Sequence, residues 1–167
     1  MSTAVALTFL VLTLPICVWV AWNDMRSMKI PNKAVMAMFV IWLVAGFFLM
    51  PLSVWAWGWA LAAIVMVVGF VMHSAVGIGA GDAKFASAIA PFFVQSDPRF
   101  DMGLIAATML GALAAHRVMR AMPAVRRATP DWESWTRAEY FPFGLALSGM
   151  LIFHLLATVW LNSAAVH

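Results

Sequence analysis

Long apolar runs alternate with short polar connections along the whole sequence. The runs lie at about residues 4–22, 34–50, 52–72, 83–95, 102–119 and 141–162. An α-helix needs about 20 apolar residues to cross a bilayer, and all runs but the fourth are close to that length. The pattern predicts an all-α polytopic membrane protein with about six transmembrane helices. No basic residue precedes the first run and no small-residue cleavage pattern follows it, which indicates a retained helix and not a signal peptide.

The composition indicates the same class of protein. Hydrophobic residues make up 65% of the 167 residues, charged residues make up 10%, and the mean hydropathy is +0.94. These values lie outside the range of soluble domains. The length predicts one membrane-embedded domain, residues 1–167. Cys17 is the single cysteine of the sequence, which excludes a disulfide framework. Neither a cofactor nor a metal site is expected, because there is no HExxH motif and the histidines lack ligand spacing.

The basic residues are distributed unevenly among the connections. If the six helices alternate in direction, nine of the ten basic residues fall on one side: Arg26, Lys29, Lys33, Lys84, Arg117, Arg120, Arg126, Arg127 and Arg137. The opposite side holds Arg99. Lys and Arg near helix ends are retained in the cytoplasm, so the charge predicts membrane orientation, with both termini outside the cytoplasm. No basic stripe with interleaved aromatic residues indicates a nucleic-acid partner.

Two of the seven acidic residues are not explained by solvation in a connection. Asp24 ends the first apolar run, and Asp82 precedes the fourth. The alternation of the helices places both at the same membrane face, where a compact bundle can bring them together. Two carboxyls that share one proton allow one to activate a water molecule while the other donates a hydrogen bond to a carbonyl, which is the chemistry of an aspartic protease.

A glycine-rich segment stands directly before Asp82. The fourth run covers only about 18 Å of a hydrocarbon core of roughly 30 Å, so this segment is expected to dip below the membrane surface. Irregular backbone at that depth must border protein or a water-filled cavity. Gly77, Gly79 and Gly81 are expected to allow positive φ and a close approach by substrate.

Each of these features also has a purely structural interpretation. Asp82 could cap a helix, and Asp24 could form a surface ion pair with Arg26. Lys84 is more typical of a snorkelling orientation charge than of a catalytic group. Pro31 is expected to fix the entry into the second helix, with Asn32 as its cap: both would then be structural residues.

Three segments resemble the signatures of type IV prepilin peptidases. Gly79–Asp82 (GAGD), followed by Lys84, is similar to the family's GxGD motif with its basic residue. Asp24–Asn32 (DMRSMKIPN) resembles the segment of the first family aspartate, which ends in Ile-Pro-Asn. Phe141–Leu147 (FPFGLAL) resembles the third signature, Pro-Phe-Gly-Pro-Ala-Leu, with Leu145 in place of the second proline. The three segments occur in order across almost the whole chain.

The resemblance implies an intramembrane aspartyl endopeptidase that removes the basic leader of prepilins or pseudopilins at the cytoplasmic face of the bacterial inner membrane. Asp24 and Asp82 would be the catalytic pair. The motif and substrate-loop residues would be Gly79, Gly81, Lys84, Pro31, Asn32, Pro142, Phe143 and Gly144. The larger family members add Cys-x-x-Cys motifs and methylation, which are not expected here. The minimal form resembles the enzymes of tight-adherence (Flp) pilus systems.

Other classes of membrane protein remain open at this point. A small ion-coupled transporter or channel subunit would use Asp82 and a broken helix to bind a cation, although both acids lie near one face and not at the midplane. A structural subunit of a larger assembly is a third possibility, but no pattern in the sequence specifically favours it. Ser148 lacks the preceding glycine of a rhomboid-like GxSG motif, and Ser27 and Lys29 are too close along the chain to argue a Ser-Lys dyad.

The connection at residues 116–140 is predicted to contain a short interfacial helix. Thr129 would cap it, Pro130 would begin it, and Trp132 and Trp135 would share one face toward the cytoplasmic leaflet. Its acids would guide a basic leader; these are Asp131, Glu133 and Glu139. A plain orientation loop is the alternative interpretation.

Overall fold

The computed structural model describes residues 1–137 and 141–164, and all regular structure within these ranges is helical. The helices are α1 (Thr3–Ser27), α2 (Asn32–Leu49), α3 (Leu52–Val76), α4 (Ala80–Ile89), α5 (Pro98–Ala121), α6 (Pro123–Ala128), α7 (Glu133–Thr136) and α8 (Phe143–Ala164). The predicted all-α fold class is confirmed.

Five helices, α1, α2, α3, α5 and α8, are long and apolar enough to cross a membrane. The fourth apolar run differs from the other runs. It forms α4, which has 10 residues, and a 3₁₀ turn of 4 residues over Ala90–Phe93. Pro91 lies in this turn and has no main-chain N–H to continue the α-helical bonding. By length and composition, the described residues therefore contain five candidate spans. The short helix α4 occupies the place of the fourth of the six predicted transmembrane helices.

The first and last long helices run antiparallel, and their ends define the two ends of the bundle. At one end, the Asn162 side-chain amide donates to the Met1 carbonyl over 2.8 Å. At the other end, the close of α1 meets the start of α8 through Asp24 and Gly144. We call the latter the aspartate end. The connections around residues 28–31, 77–79, 122–137 and 141–142 lie there, and they and their flanks carry the nine basic residues predicted to share one face.

The short helix α4 lies among α2, α3 and α8. It approaches α3 so closely that a β-carbon added at Gly69 would lie 2.7 Å from the Ala83 β-carbon. Three aromatic rings pack where the 3₁₀ turn ends: Phe92 lies 5.1 Å from Phe9 and 5.4 Å from Trp42, measured between ring centroids. These contacts hold the far end of α4 and leave its first turn facing the aspartate end.

Two predicted helix caps were wrong. Asn32 does not cap α2, because Pro31 is the N-cap residue and Asn32 is already helical, with no side-chain cap hydrogen bond. The Pro31 carbonyl accepts from the Ala34 N–H over 3.0 Å. Thr129 ends α6 and does not begin the next helix, and its hydroxyl donates to the Val125 carbonyl over 2.8 Å.

The predicted short helix in the last connection exists, but it begins at Glu133 and not at Pro130. It has 4 residues, and the Trp132 and Trp135 rings stack on each other at 5.5 Å. The prediction that both face the cytoplasmic leaflet was wrong for Trp135, which is buried and packs on His116. The Trp135 indole N–H donates to the Thr129 carbonyl over 2.9 Å, which explains why this segment turns inward instead of extending from Pro130. Glu139, one of the predicted guiding acids, lies outside the described residues.

Candidate active site

Asp24 lies in the last turn of α1 and is 4% exposed. The Gly144 main-chain N–H donates to its Oδ2 over 2.7 Å. This N–H is free because the first turn of an α-helix has no intrahelical acceptor for its N–H groups. A β-carbon at position 144 would lie 3.0 Å from Asp24 Oδ2 and 3.1 Å from its Cγ, so glycine allows the contact. The burial excludes the surface ion pair considered for Asp24.

Asp82 lies in the first turn of α4, outside the five long helices, and is half-buried. Gly79 is the N-cap residue of α4, and a β-carbon there would collide with Asp82 Oδ2. Burial, followed by the charge of Asp24, raises the pKa of the Asp82 carboxyl to about 7. The two carboxyls are therefore near enough to influence each other's ionisation.

One cavity at the aspartate end, of about 730 Å³, is lined by both Asp24 and Asp82. This volume lies within the usual range of ligand pockets. The other lining residues come from the connections after α1 and α3, the start of α4 and the segment before α8: Met28, Lys29, Ile30, Asn32, Val76, Gly77, Ile78, Gly79, Ala80, Gly81, Lys84, Arg137, Phe141 and Phe143. The cavity thus combines two carboxyls, three basic side chains and irregular backbone.

The structure separates the predicted motif residues into two groups. Those that line the cavity are Asn32, Gly79, Gly81, Lys84 and Phe143. The others act behind its wall: Pro31 caps α2, Gly144 holds Asp24, and the fully buried Pro142 accepts a hydrogen bond from the Leu145 N–H over 3.2 Å. A proline at position 145 would lack that N–H, so the departure from the third signature adds a hydrogen bond at the start of α8.

The expectation that all three glycines before Asp82 allow positive φ was wrong for two of them. Gly77 has a φ of 76° and ends α3 in the left-handed region, as glycine often does. Gly79 has a φ of −56°, which any residue can adopt. Gly81 is helical, and a β-carbon there would make an ordinary contact of 3.6 Å with Ile30. Gly79 is therefore required by the space that Asp82 occupies, and not by its backbone angles.

The sequence interpretation missed the residues that shape the wall after α1. Met28 ends α1 in the left-handed region with a φ of 51°, an uncommon conformation for a residue other than glycine. The Asn23 side-chain amide donates to the Lys29 carbonyl over 2.6 Å and so closes this turn. An asparagine just before a helix end is a weak signal for such a bond, and nothing in the sequence indicates the conformation of Met28.

The segment before α8 forms the opposite side of the cavity. Arg137 lines it and also pairs with Glu133 over 3.2 Å, with both side chains substantially exposed. Such a surface pair contributes little to stability. The pair does, however, engage Glu133, which is one of the acids predicted to guide a basic leader. Trp135 is buried and stacks on His116 at 5.4 Å, which attaches this segment to α5.

Within residues 1–137 and 141–164, no group of three His, Cys, Asp or Glu side chains lies close enough to hold a metal ion. The carboxyls that line the described cavity are those of Asp24 and Asp82. Two carboxyls in one desolvated cavity can share a proton, activate a water molecule and polarise a carbonyl.

The sequence model of the type IV leader peptidase family matches residues 10–116, more than half of the chain. The match includes Asp24 and Asp82 and ends before the third segment, which contains Gly144. No curated protein and no solved structure matches the chain.

Proposed function

Because the chain belongs to the type IV leader peptidase family, we propose that it is an intramembrane aspartyl endopeptidase. Its substrate is a prepilin of the Flp-like type, and the product is the mature pilin without its basic leader. The observation that carries this proposal is the cavity of about 730 Å³ that both Asp24 and Asp82 line, although they belong to different helices.

The two carboxyls differ in environment, which supports a division of roles. Asp24 Oδ2 accepts from the Gly144 N–H, which leaves Oδ1 to take a proton from water. The pKa of Asp82 is raised to about 7, so near neutral pH its carboxyl retains a proton that it can donate to a carbonyl oxygen. Asp24 is then the general base and Asp82 the hydrogen-bond donor.

Cleavage proceeds in two steps. The water oxygen attacks the scissile carbonyl carbon, its proton passes to Asp24, and the carbonyl oxygen takes the proton of Asp82. The tetrahedral diol then collapses: its C–N bond breaks, Asp24 gives its proton to the leaving nitrogen, and Asp82 recovers its own from a hydroxyl of the diol. Both carboxyls return to their starting states.

The charge distribution supports an orientation for the reaction. Since basic residues are retained in the cytoplasm, the aspartate end faces the cytoplasm and both termini lie in the periplasm of a bacterial inner membrane. A substrate whose apolar helix stays in the lipid can then present its leader at this end. Methylation is not assigned, because the Cys-x-x-Cys motifs of the larger family members do not occur in a sequence whose single cysteine is Cys17.

The test is cleavage of a purified prepilin in liposomes by Asp24→Asn and Asp82→Asn. Each variant should lose activity by roughly 100-fold or more, since an amide can neither accept the proton nor donate it in turn. Asp97→Asn is the control, because Asp97 caps α5 at the opposite end and asparagine also caps helices. Wild-type cleavage by a folded Asn variant would overturn the proposal, and a cation flux that depends on Asp82 would replace it with transport. Mass spectrometry of the new amino terminus tests methylation.

A further inference from the structure

The end of α5 and the helix after it carry a cluster of arginines. Arg117, Arg120, Arg126 and Arg127 fall within one short segment that contains no acidic residue. Every basic residue from position 117 to 137 is arginine, whereas the connections near the carboxyls also use lysine. The guanidinium group binds phosphate with two parallel hydrogen bonds, which the lysine ammonium cannot do. The choice of residue therefore indicates recognition of phosphate.

The cluster lies on an exposed corner of the bundle. The chain bends at Met122, and α6 begins at Pro123. Five of the six residues of α6 are exposed, and Val125 is half-buried. Arg117 and Arg120 are three positions apart on α5, so they share one face of that helix. Arg117, Arg126 and Arg127 are exposed and Arg120 is half-buried, so the cluster can be reached by a group outside the protein.

Tryptophans mark the depth of this corner in the membrane. Trp132 packs against Trp22 of α1 at 4.9 Å and against Trp135 at 5.5 Å. Tryptophan is enriched at the level of the lipid headgroups. The arginines at the end of α5 and on α6 are joined to this layer through the Trp135–Thr129 hydrogen bonds. Trp22 is exposed, Trp132 is half-buried and Trp135 is buried behind them, so we expect Trp22 and Trp132 to place the corner at the level of the lipid phosphates.

We infer that Arg117, Arg120, Arg126 and Arg127, here called the arginine corner, bind the phosphate headgroups of anionic phospholipids. Charge complementarity carries the inference, because clusters of four or more basic residues next to a membrane helix attract anionic lipid. In the described part of the chain, the Arg–carboxylate ion pair is that of Arg137 with Glu133, and none involves the arginine corner. The inference is independent of the proposed protease activity.

Bound lipid would hold α6 against α5 and steady the segment that continues to the cavity wall at Arg137. Anything that binds the folded state raises its stability. Phosphatidylglycerol is therefore expected to raise the thermal midpoint of the protein in detergent, while phosphatidylcholine is not.

The experiment compares Arg126→Gln/Arg127→Gln with a matched control, Arg26→Gln/Lys33→Gln. The control removes the same charge at the same end of the bundle, from exposed residues that do not line the cavity. Phosphatidylglycerol binding, followed by native mass spectrometry and by the thermal midpoint, should weaken roughly 20-fold in the arginine-corner variant and less than about 3-fold in the control.

Three results would overturn the inference: equal weakening in both variants, equal stabilisation by phosphatidylcholine, or equal stabilisation by inorganic phosphate. A second variant, Arg126→Lys/Arg127→Lys, keeps the charge and loses the forked donors. It should bind phosphatidylglycerol more weakly than the wild type, and unchanged binding would overturn the phosphate contact.

Discussion

The Gly144 main-chain N–H donates a buried hydrogen bond to Asp24 Oδ2 over 2.7 Å, although the two residues are 120 positions apart. Hydrogen bonds to a charged group contribute about 1.5 to 3 kcal/mol. The bond joins the last turn of α1 to the first turn of α8. It fixes one carboxyl of the proposed pair and makes the third sequence signature part of the site.

Gly144→Ala should displace Asp24, because the new β-carbon would lie 3.0 Å from its Oδ2. The N–H donor is retained, so the effect comes from space alone. We expect prepilin cleavage to fall by about 10- to 100-fold, as small displacements of catalytic groups do. Gly149→Ala is the control, since its β-carbon would lie 3.8 Å from Phe153 in an ordinary contact. Similar activity of the two variants would contradict the role given to Gly144.

Gly79→Ala and Gly81→Ala should differ, although both glycines belong to the same motif. A β-carbon at position 79 would collide with Asp82 Oδ2, whereas one at position 81 meets Ile30 at 3.6 Å. We expect Gly79→Ala to lose at least about 10-fold in activity. Gly81→Ala should fold at least as stably as the wild type, because alanine favours the helix. Rates of cleavage and thermal midpoints decide this; loss of activity in Gly81→Ala with its stability intact would instead place the substrate against Gly81.

The stability should depend on pH through Asp82. Its pKa is raised from 3.8 to about 7, so between these values the native protein holds a proton that the unfolded chain has lost. The free energy of unfolding therefore falls as the pH rises through this window and becomes independent of Asp82 above it. Asp82→Asn should reduce this slope in thermal midpoints measured from about pH 5 to pH 8, while Asp97→Asn should keep it in full.

The same protonation should govern turnover. If protonated Asp82 donates to the carbonyl, kcat falls as the pH rises above about 7, since the donor is then ionised. The apparent values belong to the pair, because coupled carboxyls do not titrate independently. A kcat that rises through this range would show that Asp82 acts as the base.

Asn23→Ala should affect substrate binding through the turn at Met28. The variant loses the hydrogen bond of 2.6 Å to the Lys29 carbonyl, which shapes one wall of the cavity. Asn162→Ala is a matched control, because it loses a bond of 2.8 Å to the Met1 carbonyl at the other end of the bundle. Both should lose about 1 kcal/mol of stability, and Asn23→Ala alone should raise KM by about 5-fold with little change in kcat. An equal KM for the two variants would remove the positioning role.

Much of the architecture could be predicted from the order of apolar and polar residues. Each apolar run became a helix, because burying backbone in lipid requires the internal hydrogen bonding that helices provide. The length of the run after Asp82 predicts a segment too short to cross the membrane, and the run forms α4 and a 3₁₀ turn. The errors concern helix ends such as Asn32 and Thr129, where several residues could provide the cap and packing makes the choice.

The candidate site could be predicted in part. The sequence predicts a special role for Asp24 and Asp82 because solvation in a connection does not explain carboxyls beside apolar runs. The structure places both residues in the lining of one cavity. Their catalytic roles remain predictions. The sequence does not predict the contact between Gly144 and Asp24. A glycine after Pro-Phe indicates the start of a helix, but it does not indicate which residue of another helix lies beside it. Asn23 was missed for a similar reason, since its partner lies across a turn that depends on Met28.

The sequence by itself determined the class of protein, its helical runs, the end that carries the basic residues and the two acids that solvation does not explain. These properties depend on local composition and length, which act wherever the segment lies. The tertiary structure alone decided that Gly144 meets Asp24, that Gly79 makes room for Asp82 and that Met28 turns the chain into the cavity wall. Such contacts depend on how each helix is rotated and how deeply it packs, and these are set by all neighbouring helices together.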